Sequence, residues 1–321
     1  MASDERFQPR DASVTPRFAD VATFMRCPRF EISEDIDIGL IGVPFDLGVN
    51  YRAGARQGPA GVREASRLIR RIHPTSGIKP FDLCNVADLG DAPVNPLDLA
   101  ASFQMIEDHF AQIHAAGIVP IAIGGDHTIP IPILRALAKQ RPVGVLHIDA
   151  HADTLEEMFG TQVNHATFMR LATEEGLIDP KRVVQLGLRG SRFGEDDIRY
   201  GVEAGYTILT LDDYEDMGRA KAIEIIGETL GAGPTYISLD VDGLDPAYAI
   251  GTGVPEIGGL SPRDVQVILR SLRGTELVGA DISEVAPALD PSGLTCVTAA
   301  NLMFEMLCVI ADSVAARKAR A

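Results

Sequence analysis

The chain has 321 residues, 46% of them apolar and 23% charged, with Leu, Ile, Val and Ala spread along its whole length. That composition excludes disordered, collagenous and coiled-coil proteins and allows a large buried core. The 29 Lys and Arg against 45 Asp and Glu leave a formal charge of −16 and a pI near 4.8, the wrong sign for tracking nucleic-acid phosphates or an anionic membrane, so no nucleic acid and no membrane is expected as a partner.

Residues 1–35 carry prolines and isolated charges without a sustained period and read as an N-terminal arm that wraps the surface or a neighbouring subunit. No apolar run there resembles a secretory signal, and Cys27, Cys84, Cys296 and Cys308 form no Cys-x-x-Cys pair, so a reducing, cytoplasmic location is expected. From Ile36 onward eight short runs rich in Ile, Val and Leu predict strands: Ile36–Val43, Leu83–Leu89, Ile118–Ile123, Val143–Asp149, Arg182–Leu188, Thr207–Leu211, Thr235–Asp240 and Leu277–Ile282. Helical periodicity falls between most of them, at Pro59–Arg71, Leu97–Ala116, Ile129–Lys139, Phe168–Gly176, Lys221–Leu230, Pro262–Leu272 and Thr295–Ala315. This alternation predicts an α/β fold with a parallel sheet covered by helices on both faces. With no linker and no internal repeat, residues 36–321 read as a single domain.

In such a sheet ligands gather beyond the carboxyl ends of the strands. Three strand ends are rich in metal-binding side chains: Gly124-Gly-Asp-His-Thr128, Asp149-Ala-His-Ala-Asp153 and Ser238-Leu-Asp-Val-Asp-Gly-Leu-Asp-Pro246. They bring together His127, Asp149, His151, Asp153, Asp240 and Asp242. Any one segment alone is ordinarily a solvated strand end or a helix cap, but four carboxylates packed together repel unless cations neutralise them. Hard oxygen and imidazole without thiolate favour Mn(II), with Ni(II), Fe(II), Co(II) or Zn(II) admissible. Six ligands, two of them able to bridge, suggest a pair of divalent ions that lower the pKa of water from ~16 toward ~7, and hence hydrolysis.

The motifs in combination resemble the ureohydrolases, the family of arginase, agmatinase, guanidinobutyrase and guanidinopropionase. The likeness runs from about Ile36 to Val309 and includes Gly251-Thr-Gly253 and Glu284-Val-x-Pro287 beside the three segments above. It implies a three-layer α/β/α sandwich with an eight-stranded, mainly parallel sheet, two manganese ions, and homotrimers or homohexamers. One ion would take His127, Asp149, Asp153 and Asp240, the other His151, Asp149, Asp240 and Asp242. A hydroxide bridging the metals would attack the guanidinium carbon, oriented by Asp153, releasing urea and an amine. By the same resemblance Glu284 is the clamp for the substrate guanidinium and His165, in Asn164-His-Ala-Thr167, is the proton shuttle. His147 reads as a buried partner of the ligands, whereas His73, His109 and His114 are expected to be exposed.

Loops at Asn50–Arg56, Gly90–Asn95 and Pro255–Gly259 look closest to guanidinopropionase and guanidinobutyrase, and Leu188-Arg-Gly190 sets the chain apart from arginase itself. Three positions depart from the family pattern. Leu155 replaces a usual Asn, His165-Ala-Thr167 replaces His-Gly-Thr, and Ala249-Ile-Gly-Thr-Gly-Val254 replaces Ala-Pro-Gly-Thr-Gly-Thr. Each makes the pocket mouth more apolar or tighter, and Leu155 and Met158 are candidate substrate-binding residues. Three functions are therefore open: hydrolysis of a guanidino acid such as 3-guanidinopropionate or 4-guanidinobutyrate, or of agmatine; hydrolysis of an N-alkylated guanidine or a metformin-like biguanide in a less polar pocket, motivated by Leu155 and Ile250; and an inactive metal-binding subunit supporting a homologous one. Single-metal deacetylases of related fold lack the additional ligands His127, Asp153 and Asp242.

Overall fold

The computed structural model describes residues 4–138, 141–194 and 196–320. Eight strands form one sheet: β1 (Ile38–Val43), β2 (Val86–Asp91), β3 (Val119–Gly124), β4 (Val143–Ile148), β5 (Ile178–Leu188), β6 (Thr207–Thr210), β7 (Pro234–Asp240) and β8 (Glu276–Ser283). Their order is β2-β1-β3-β8-β7-β4-β5-β6, and every pairing is parallel. The expected mainly parallel sheet is thus wholly parallel. Strands β1, β3, β4 and β7 are buried along their full length, which is why they read as continuous apolar runs without alternation. Pro120 is tolerated in central β3 because the ladder to β8 begins only at Ile121, so its missing N–H leaves no gap.

The helices among the described residues are α1 (Gly58–Ser66), α2 (Pro80–Leu83), α3 (Leu99–Ala115), α4 (Pro130–Ala138), α5 (Phe168–Glu174), α6 (Asp196–Ala204), α7 (Leu211–Leu230), α8 (Pro262–Ser271) and α9 (Leu294–Lys318). One face of the sheet packs against α1, α2, α7, α8 and α9, the other against α3, α4 and α5, giving two apolar cores in a three-layer α/β/α sandwich. Helix α9 is apolar around most of its circumference because it is enclosed in the first core: 83% of its most apolar 18-residue window is buried. Residues 4–35 lie against this body, with Phe7, Phe24, Met25 and Cys27 buried and the Phe24 N–H donating to Asp88.

The differences from the sequence reading have local causes. The strand expected from Leu83 starts at Val86, since Pro80 opens a helical turn that Leu83 ends. Helix α7 starts ten residues before the expected Lys221 because Thr210 and Asp213 form a capping box there, with a break at Gly218 (φ 76). Its acidic first half hid it. Helix α6 was not anticipated, being polar and interrupted by Gly201. The expected end of α4 at Lys139 lies outside the described residues.

Candidate metal centre and active-site cavity

The four central neighbours in the sheet, β3, β8, β7 and β4, supply the site from their carboxyl ends. His127 follows β3; Asp149, His151 and Asp153 follow β4; Asp240 ends β7, with Asp242 two residues on; Glu284 follows β8. The chain leaves β3 toward one side of the sheet and re-enters at β4, with β8 and β7 lying between them, so the ends diverge and open a crevice where ligands bind in parallel sheets.

His127 Nδ1 faces Asp149 Oδ2 at 3.0 Å, Asp153 Oδ2 at 3.0 Å and Asp240 Oδ2 at 3.3 Å. It is buried and makes no hydrogen bond with acceptable geometry. His151 Nδ1 lies 3.4 Å from Asp149 Oδ1 and 3.2 Å from Asp242 Oδ2. Ligand atoms of His127, Asp149 and Asp153 therefore gather on one side of Asp149, and those of His151 and Asp242 on the other. Three carboxylate oxygens converging on an imidazole nitrogen without an aligned hydrogen bond form the environment of a cation, and these donors suit divalent metal.

The electrostatics of the bare cluster show the same need. Burial, and then Asp242 and Asp149, hold the Asp240 carboxyl well above its ordinary pKa, and burial and Asp149 raise Asp153. Burial pushes Asp242 up to about 6 although His151 opposes the shift. Asp149 goes the other way: burial raises it, but the close imidazoles of His127, His147 and His151 pull it well below the usual range. Protons thus occupy positions that divalent charge would otherwise neutralise.

Behind the ligands lies a shell of hydrogen bonds. His127 Nε2 is 2.9 Å from Ser238 Oγ, which donates to the fully buried Asp281 at 3.2 Å. His147, buried as expected, is 2.9 Å from Asp149 Oδ2 through Nε2, and its Nδ1 accepts from Gln185 Nε2 at 3.0 Å. With both nitrogens engaged, it tethers Asp149 and leaves no lone pair for a metal. Two site carboxylates occupy the left-handed region that side chains avoid, Asp153 at φ 52 and Glu284 at φ 59. This strain of ~1–3 kcal/mol each is held by main-chain bonds, Met169 N–H to Asp153 O at 3.0 Å and Glu284 N–H to Gly125 O at 2.8 Å.

Above the cluster is a cavity of about 740 Å³ lined by His151, Asp153, Leu155, Met158, His165 and Glu284 among others. Glu284 Oε1 accepts the His127 N–H at 3.0 Å and lies 3.1 Å from His165 Nδ1, while its Oε2 is buried and unpartnered. Burial lowers the His165 pKa, but the bond to Glu284 and its charge overcome that and hold it up at about 9. Leu155 and Met158 both face the cavity, with Met158 Sδ beside Asn50 Nδ2 at 2.8 Å. Ile250 is half-exposed and does not line it, so the apolar contribution from that loop comes from Val254. His73, expected at the surface, is 1% exposed and bonded to Glu305 at 3.0 Å and to Ser76; His109 is half-buried and His114 exposed.

The model of the arginase family matches residues 36–308. The chain belongs to the arginase family. A guanidinopropionase of Pseudomonas aeruginosa is 49% identical over 314 residues, covering 98% of this chain and 99% of that protein. A guanidinobutyrase of the same organism is 41% identical, covering 94% and 96%. The solved structure of the proclavaminate amidino hydrolase of Streptomyces clavuligerus superposes with a TM-score of 0.90 at 37% identity, covering 93% of this chain and all of that one. With the His and Asp cluster of the arginase family assembled, the chain is an enzyme, a hydrolase of guanidino C–N bonds.

Family motifs pointed to the six candidate ligands, Glu284 and His165. Ser238, Asp281, Gln185, Asp126 and Asn50 were given no role, although Ser238 bonds His127, Asp281 bonds Ser238, Gln185 bonds His147, Asn50 bonds His165 and Asp126 bonds the loop that holds His165. Ser238 and Asp281 had one available signal: they are polar residues inside otherwise apolar strands.

Proposed function

We propose that this enzyme releases urea from a short guanidino acid, with two manganese ions, or nickel, held by His127, Asp149, Asp153 and Asp240 on one side and by His151, Asp149, Asp240 and Asp242 on the other. One observation carries the reading: the unpartnered His127 Nδ1 among three carboxylates lies below a cavity lined by Glu284, whose Oε2 is equally buried and unpartnered. Bound divalent cations supply charge for the carboxylates and lower the pKa of water enough to make it a nucleophile near neutral pH.

The chain does the rest. Glu284 Oε2 receives the guanidinium and sets its planar carbon over the metal-binding carboxylates. Asp153, locked by its backbone, orients the attacking water through a hydrogen bond. Attack makes the carbon tetrahedral; collapse to urea requires a proton on the departing amine, which His165 delivers. The higher identity to the guanidinopropionase than to the guanidinobutyrase supports a short acid, and Arg192 on the cavity wall offers a cation for its carboxylate. Agmatine remains a test substrate because Asp197, Asp212 and Glu256 line the same cavity. The second reading, an N-alkylated guanidine or biguanide, is supported by Leu155, Met158 and Val254 on the walls. A homotrimer or homohexamer accompanies the family assignment, and four buried, unpaired cysteines support a reducing cytoplasm.

The deciding experiment measures urea released by Mn(II)- and Ni(II)-loaded protein from guanidino acids, agmatine, arginine, and alkylated guanidines and biguanides. Fastest release from 3-guanidinopropionate supports the first reading. Release from alkylated substrates alone replaces it with the second, and silence across the panel from fully loaded protein refutes both and leaves the inactive-subunit reading.

A further inference from the structure

The cavity holds two potential cations on one carboxylate. Glu284 lines the cavity; its Oε1 is shared by the His127 N–H and His165 Nδ1, while Oε2 of the same carboxylate is buried and has no partner. On its opposite edge, His165 Nε2 lies 3.3 Å from the Asn50 N–H. That main-chain donor can bond Nε2 only when the nitrogen carries no proton. The ring is therefore held between a carboxylate that favours its charged form and an amide that favours its neutral one. Its position is fixed independently, because the His165 N–H donates to Gly48 O at 3.1 Å and the Gly48 N–H donates to the buried Asp126 at 2.7 Å.

We propose that Glu284 couples proton delivery to substrate binding: the substrate guanidinium, seated on Oε2, takes up the charge that retains the His165 imidazolium, so that the Nε2 proton is released only in the occupied site. This rests on the reading above, in which Glu284 is the guanidinium clamp and His165 the proton donor. The balance is simple. The imidazolium loses the Nε2 proton to the departing amine nitrogen, whose lone pair forms the new N–H bond as its bond to carbon breaks. Nδ1–H remains on Glu284 Oε1, and the freed Nε2 lone pair accepts the Asn50 N–H.

Among the described residues the groups facing the ring are few. Glu284 comes from the end of β8, Asp153 from the end of β4 and Asp126 from the end of β3; the loop around Gly48 and Asn50 presents main chain. Asp153 is a metal-binding carboxylate and is neutralised when the metal is bound. Asp126 is already committed to the Gly48 and Thr128 donors. Glu284 is thus the anion whose charge a substrate can change. With Glu284 free, His165 sits at about 9, since the pull of Glu284 outweighs burial. Neutralising an opposite charge at hydrogen-bond distance moves a pKa by about one to three. The consequence is selectivity: an empty site keeps its general acid protonated, and the proton becomes available when a cation shares the clamp.

The test uses Mg(II)-loaded protein with isotopically labelled histidine rings and acetamidinium as probe, a planar cation that yields no urea. The His165 resonance, assigned by its absence in His165→Asn, is titrated with and without saturating acetamidinium. The expected result is a downward shift of about one or more on binding, and by linkage an acetamidinium affinity that rises at least about tenfold from about pH 7 to about pH 10. His165→Asn should lose that pH dependence while still binding the probe. In Glu284→Gln, His165 should titrate well below its wild-type position without any ligand. Acetamidinium that binds the wild type without moving His165 overturns the coupling and leaves the clamp intact. Failure of loaded wild type to bind it refutes the clamp and the coupling together, and an unchanged His165 in Glu284→Gln refutes the coupling independently of any ligand.

Discussion

Ser238→Ala tests whether the hydrogen bonds behind the cluster set its hold on metal. His127 Nε2 is 2.9 Å from the Ser238 hydroxyl, which passes its own proton toward Asp281 at 3.2 Å, and all three residues are buried. Removing the hydroxyl leaves a buried ring N–H without an acceptor, a loss of ~1–3 kcal/mol. A metal-free chain recovers part of this by letting the ring turn, which carries Nδ1 away from the carboxylates it faces at 3.0–3.3 Å. Metal binding demands the penalised orientation, so the loss becomes a fall in metal affinity of ~10–100-fold, as expected for an outer partner of a ligating imidazole. Chelator competition with Mn(II) and Ni(II) reads the affinity, and thermal melts of the metal-free protein check the fold. Asp281→Asn, which keeps an oxygen able to accept from Ser238, should lose less than Ser238→Ala. A folded Ser238→Ala variant with wild-type affinity for both metals would show that His127 needs no support, and the reasoning would fail.

Asp149→Ala and Asp240→Ala should lose metal and turnover together, whereas His165→Ala should keep its metal and lose ~10²–10⁴-fold in rate; equal metal loss in all three, measured by elemental analysis, contradicts the assigned roles. Metal-free protein should become less stable as pH rises. Burial first of all holds Asp126, Asp242 and Asp281 at about 6 in the fold against 3.8 for the free side chain, and a carboxyl raised by folding stabilises below its unfolded pKa and loses that contribution as pH climbs through its folded one. For Asp281 alone this comes to about 3 kcal/mol between about pH 4 and about pH 7; Asp149, shifted downward, opposes the fall only at the acid end of that window, where its unfolded form is still partly protonated. Melting temperatures that rise across the window refute this, and added Mn(II) should flatten the fall. Leu155→Asn should return a polar group to the cavity wall and raise kcat/KM for a guanidino acid relative to an N-alkylated guanidine, by roughly tenfold or more for one buried polar contact; an unchanged ratio in competition assays removes Leu155 from the specificity set.

Much of this molecule is legible in one dimension because its chemistry lies at strand ends. A parallel strand buried on both faces must be apolar along its length, so Ile118–Ile123 and Val143–Ile148 declare themselves, and polar residues that follow at once, His127 or Asp149, stand out against them. Charge made the metal readable as well, since four carboxylates cannot share a site without cations. Polar, poorly periodic segments such as α6 and the first half of α7 carried no comparable signal, and their places are set by packing and by the Thr210 cap.

Only the tertiary structure decided which polar residues act together. Ser238 and Asp281 lie on neighbouring strands in register, 43 positions apart in the chain, and nothing local marks them as the support of His127. His73 looked like a surface residue because its sequence neighbours are polar, yet the fold buries it against Glu305, 232 positions away. The left-handed backbone of Asp153 and Glu284, and the sharing of one Glu284 oxygen between His127 and His165, depend on loops from different strands meeting over the cavity. Local sequence determines which segments can be strands, helices and ligands, because propensity and burial are properties of neighbouring residues. Orientation, pKa and the pairing of buried polar groups are determined by distances across the sheet, and these exist only once the chain has folded.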